Sequence, residues 1–138
     1  MDITLNWLAI VIATLSTMVV GTVWYLPKMF GNRWQALTGV DPNKPKSRAA
    51  AYGGSLVASA VTAIVLALVL EFVGPAVDQP FLVVALVTGA ALWAGFTAAR
   101  ILVHELFESR DLRIWGITAA YELVTILVMA AIIGLFGN

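Results

Sequence analysis

Four long apolar runs divide the chain, at about 3–26, 49–73, 81–104 and 114–136. Polar connections at about 27–48, 74–80 and 105–113 separate them. Each run is long enough to cross a bilayer core of about 30 Å, which takes roughly 20 mostly apolar residues as a helix. None alternates with the two-residue period of a strand, and in lipid a segment must satisfy its own backbone hydrogen bonds, so the pattern predicts α-helices. The expected fold is an all-α integral membrane protein, a single domain over 1–138 built as a four-transmembrane-helix bundle. The first run opens on Asp2 with no basic segment before it and exceeds the roughly 7–15 apolar residues of a secretory signal. It therefore reads as a retained span.

Within each run a polar or small stripe recurs at the three-and-four spacing of one helical face. The stripes are Thr14, Thr17, Gly21 and Trp24; Tyr52, Ser55, Ser59 and Thr62; Trp93, Thr97, Arg100 and His104; and Thr118, Glu122 and Thr125. A bundle with these stripes inward is the simple reading. Small residues let helices approach and hydroxyls bond across them, for about 0.6–2 kcal/mol per contact. The pairs Ala91/Gly95 and Gly54/Ala58 suit close helix contact, within one chain or between copies.

Composition agrees with a lipid solvent. Of 138 residues, 61% are hydrophobic and 12% charged, against about half and a quarter in a soluble domain. The formal net charge of zero gives no reason to expect nucleic acid as a partner. The chain has no cysteine, so disulfides and thiolate metal sites are excluded. The eight basic residues set an orientation. Lys28, Arg33, Lys44, Lys46, Arg48, Arg110 and Arg113 lie in the first and third connections, and Arg100 sits near the third-connection end of its run. Basic residues in short loops stay cytoplasmic, so an N-out, C-out topology is expected.

The border "GTVWYLPKMFG" at 21–31 suits that inner surface. Trp24 and Tyr25 can face acyl chains while their polar tips reach water. Pro27 stops the helix, and Lys28 can reach the lipid phosphates. Phe30 and Trp34, with Leu37, share one face of a short interfacial helix after the first span. Trp24, Tyr25, Pro27, Phe30 and Trp34 are thus the expected interface anchors.

These residues also carry a likeness. "NWLAI" at 6–10, "GTVWYLPKMFGNRW" at 21–34 and "LWAGFTAARILVHELFESRDLRIWGITAAYELVTILVMAAIIGLF" at 92–136 resemble domain-of-unknown-function family 1761. The resemblance implies a small bacterial four-span membrane protein and brings no activity with it. It departs at Leu26, where the family often has serine, and at Glu122, where it often has another polar residue.

Glu122 is the candidate with the sharpest physical demand. An ionised carboxylate inside a span must be protonated, paired or hydrated. Arg100 is the expected partner, with His104 next. Glu122, Arg100, His104, Thr97, Thr118 and Tyr121 form the candidate transport or buried polar set. "HELFE" at 104–108 lacks the second histidine of a helix-borne zinc motif, so no metal is expected, and no cofactor-binding pattern occurs. An enzyme is not the expected class. The leading expectation is a small oligomeric channel or transporter subunit in the bacterial inner membrane, with the lipid bilayer and further copies of itself as partners. The alternative is a structural or regulatory membrane protein whose basic cytoplasmic loop, at 28–48, holds an unidentified membrane or cytoplasmic protein or anionic lipid.

Overall fold

The computed structural model describes residues 2–136, and every regular element among them is helical. Helix α1 spans Trp7–Trp24, α2 spans Asn32–Thr38 and α3 spans Arg48–Val73. The third span comprises α4 (Phe81–Leu92), a π turn (Trp93–Ala98) and α5 (Ala99–Phe107); α6 covers Leu112–Phe136. Four of these stretches are long and apolar enough to cross a membrane.

Local chemistry sets the ends. Helix α1 begins four residues later than the hydrophobic run, because the Asn6 side chain accepts a hydrogen bond from the Ala9 N–H at 3.1 Å and caps the helix there. The Asn6 amide also donates to the Phe136 carbonyl, tying the start of α1 to the end of α6. Ser47 caps α3 in the same way, accepting from the Ala50 N–H at 3.1 Å. Asp111 accepts from the Arg113 N–H at 2.9 Å at the start of α6. Between α5 and α6 the chain turns through Ser109, whose φ of 54° is the left-handed conformation.

Helix α6 is the centre of the bundle. It packs along both α1 and α4, while α3 packs on α1 and touches α4 and α6 only thinly. Close backbone approach permits the α4–α6 contact: a Cβ on Gly134 would lie 3.0 Å from the Leu82 Cα. In lipid the gain from such packing is van der Waals contact rather than escape from water.

The bundle is divided along its length. Ile10 and Ala13 of α1, Ala63 to Leu70 of α3, Val84 and Ala85 of α4, and Ile126 to Ile133 of α6 form one tight apolar core. All of them lie in the half remote from the basic first and third connections. Leu66, Leu70 and Met129 are its largest fully buried side chains. In the other half α3 stands away from α6, and the space between them is lined by hydroxyls.

Candidate functional site

The open half of the bundle holds two adjoining chambers. One, of about 280 Å³, is lined by Ser55, Ser59, Thr62, Trp93, Thr97, Tyr121, Glu122 and Thr125, with Ile126 and Met129 at the edge of the apolar core. The second, of about 330 Å³, reaches the loop residues Pro42, Asn43 and Pro45 and is bounded by Thr17, Gly21, Tyr25 and Tyr52. Ser55, Ser59 and Tyr121 line both, so the two form one cleft. It runs from the basic end of the bundle toward the core and stops there.

Glu122 sits near the blind end. It lies on α6 about 15 Å from the helix start by the helical rise, and its side chain is half-buried. Among the described residues it makes no ion pair and no hydrogen bond. Three neighbouring hydroxyls spend their hydrogens locally: Ser55 donates to Ala51 O, Thr62 to Ala58 O at 3.1 Å and Thr125 to Tyr121 O at 2.8 Å. Their lone pairs are what remains for the cleft. Thr17 Oγ1 meets Ser59 Oγ at 2.9 Å, joining α1 to α3 at the cleft wall.

Arg100 is not the partner of Glu122. Arg100 and His104 are exposed, and the ion pairs among the described residues are Arg110 with Glu105 and Glu108, and Arg113 with Asp111. The cause is the π turn at Trp93–Ala98. A π turn accommodates one extra residue, which rotates everything after it by about 100° relative to a continuous α-helix. Trp93 and Thr97 keep the inward face that the spacing gives them. Ala98 and Glu105 then turn inward in place of Arg100 and His104, and both are buried. Glu105 meets the Arg110 guanidinium at 3.1 Å across the turn between the last two spans.

Two indoles clamp this turn. Trp93 Nε1 donates to Ala119 O of α6 at 2.8 Å, and Trp115 Nε1 of α6 donates back to Ala98 O at 2.9 Å. Trp93 was readable as an inward residue, since an indole N–H at mid-span needs an acceptor. Trp115 was not, because its neighbours in sequence look like an interfacial anchor.

At the basic end, Trp24 stacks on Phe30 with centroids 4.5 Å apart, and Tyr25 meets Trp34 edge-on at 5.7 Å and Tyr121 at 5.4 Å. Four of the five expected anchors, Trp24, Tyr25, Phe30 and Trp34, thus form one aromatic cluster with Tyr121 of α6. Pro27 opens a sharp reversal in which Met29 leaves helical geometry. Gly31 closes it: a Cβ there would lie 2.3 Å from Tyr25 O. Asn43 Nδ2 donates to the same Tyr25 carbonyl at 3.0 Å, which brings the loop over the mouth of the cleft. Thr118 Oγ1 and Trp24 Nε1 are buried without a hydrogen-bond partner among the described residues. No group of three or more metal-ligating side chains occurs among the described residues.

The family model described as "Protein of unknown function (DUF1761)" matches residues 8–134. The chain belongs to the DUF1761 family. That match runs from the first turn of α1 to the last turn of α6, so the whole cleft lies within the DUF1761 region. No curated protein and no solved structure matches the chain. Of the candidate set, the structure brings Glu122, Thr97 and Tyr121 together, keeps Thr118 one helical turn away, and turns Arg100 and His104 outward. Ser55, Ser59 and Thr62, readable only as a packing stripe, supply the opposite wall.

Proposed function

We propose that this multi-pass membrane protein is a transporter subunit whose cleft binds a proton or a cation at Glu122. The observation that carries the reading is a carboxylate without a protein partner, inside a span, on a hydroxyl-lined cleft. A carboxylate in that position is costly unless a proton, a cation or water answers it. The cleft reaches the loop residues Pro42, Asn43 and Pro45 at the basic end and meets Ile126 and Met129 of the apolar core at the other. A blind site favours alternate opening over a continuous pore. Trp93 and Thr97 of the π turn line the same chamber as Glu122, where a change of turn geometry would alter its access. The charge asymmetry supports placing the basic end in the cytoplasm of a bacterial cell, with both termini outside. Further copies of the chain would complete the assembly: Gly54 and Gly95 face open space on the outer surface of the protomer and are free to pack against them.

Ion and proton flux in proteoliposomes tests this. Wild-type protein is expected to carry flux that Glu122→Gln abolishes while the variant keeps its fold and its size on gel filtration. Flux that survives Glu122→Gln would overturn the assignment of the site. Absence of flux in wild type and variant alike, with Glu122→Gln lowering only thermal stability, would favour the structural or regulatory role.

A further inference from the structure

We infer that the cleft is a binding site for a small organic ammonium ion, a protonated amine on an apolar body. The inference rests on the transport reading above and names its substrate class. Four features of the site converge on that chemistry.

The first is size. The chambers measure about 280 and 330 Å³ and adjoin, whereas a proton needs no cavity and a bare metal ion needs far less. Small-molecule sites begin at about 300 Å³. The second is charge. Glu122 is the one acidic residue among those lining either chamber and no lysine or arginine lines them, so a cation that enters meets a carboxyl group and no competing basic side chain. The third is hydrogen-bond polarity. Ser55, Thr62 and Thr125, three of the six hydroxyls lining the first chamber, give their hydrogens to backbone carbonyls and offer only lone pairs, so that part of the wall favours a ligand that donates hydrogen bonds. The fourth is the aromatic surface. Trp93 and Tyr121 flank Glu122, and an indole or phenol face attracts a cation. Trp93 is held in place by its hydrogen bond to Ala119 O, so its orientation exists before any ligand arrives. A neutral ligand would leave the carboxylate unanswered, and an anion would meet it as a like charge.

The test uses the full chain in nanodiscs of uncharged phosphatidylcholine, with phenethylammonium and its neutral twin 2-phenylethanol as radiolabelled probes in equilibrium dialysis. Phenethylammonium is expected to bind wild type saturably, and 2-phenylethanol only to partition into lipid. Glu122→Gln, which preserves the side-chain shape, should weaken the ammonium probe by roughly 30-fold or more, the loss expected when one partner of a desolvated charge pair is removed. Thr97→Val, which removes a lining hydroxyl at constant shape, should weaken it by about threefold to tenfold. Equal saturable binding of both probes, or ammonium binding unchanged by Glu122→Gln, would overturn the inference. Proton or alkali-cation flux that depends on Glu122, with no saturable ammonium binding, would remove this substrate class and leave the transport reading standing. Loss of both would remove both.

Discussion

Replacing Gly31 by alanine offers the sharpest test of how the basic end is held together. The added Cβ would stand 2.3 Å from Tyr25 O and 3.0 Å from both Leu26 O and Tyr25 C. Each obstacle is backbone, so no side-chain rotation relieves the contact. To reach the shortest separation that real Cβ atoms show, 3.0 Å, the turn must open by at least 0.7 Å. That movement strains the hydrogen bond from Gly31 N–H to Leu26 O, now 3.0 Å, and draws Phe30 off Trp24. Overpacking of about 1–3 kcal/mol, with a hydrogen bond of about 1 kcal/mol, gives a loss of about 2–4 kcal/mol. Two other glycines calibrate the result. Gly39 has a φ of 73° and an open surrounding, so alanine there should cost about 1–2 kcal/mol from conformation alone. Gly54 lies in a helix and faces open space, so alanine there should be neutral or stabilising by up to about 1 kcal/mol. Equilibrium unfolding in mixed micelles of rising denaturing-detergent fraction measures all three, and near-ultraviolet circular dichroism reports the Trp24–Phe30 stack. A Gly31→Ala stability within about 0.5 kcal/mol of Gly54→Ala, with the aromatic signal intact, would refute the steric argument.

Three further outcomes follow from the same geometry. Trp115→Phe keeps an aromatic six-membered ring but removes the pyrrole N–H that donates to Ala98 O, and should cost at least about 0.5–2 kcal/mol in the same unfolding assay; no loss would mean that the clamp does not stabilise the π turn. Arg100→Gln should leave proteoliposome flux unchanged, because Arg100 is exposed and unpaired with Glu122; a loss as deep as that of Glu122→Gln would restore the pairing. The Arg113 side chain, then its backbone N–H, hold the Asp111 carboxyl down from its ordinary 3.8 to about 2. A folded-state value below the unfolded one means that this contribution is complete above about 4 and lost as pH falls through about 2. Carbon-13 NMR of labelled aspartate should therefore show Asp111 titrating near 2, and Arg113→Gln should return it toward 3.8.

Hydrophobic run length and helical spacing were enough to determine an all-helical membrane protein with four candidate spans. Those are properties of a segment in lipid, independent of its neighbours. The break in the helix near Pro27 was legible for a similar reason, since proline acts locally, whereas the packing of Trp24 and Tyr25 against Tyr121 was not. The same spacing pointed to Glu122 and Thr97 as inward residues, while Tyr121 lay off the stripe of its span.

Tertiary structure decided the rest, and the third span shows why. Trp93, Thr97, Arg100 and His104 share a face only if the helix stays regular, and nothing in "LWAGFTAARILVHELF" announces a π turn. The turn places the Ala98 carbonyl against Trp115 on α6, a residue 17 positions away in the chain. It converts Arg100 from an expected partner into a surface residue and Glu105 from a loop charge into a buried one. Gly31 likewise reads as an ordinary loop glycine until the Tyr25 carbonyl is seen to occupy the space of its missing side chain. The division into a tight half and an open half was hidden for the same reason. Serine and threonine on α3 look alike in sequence whether they pack against α6 or face a cleft, and only the separation of two helices distinguishes them.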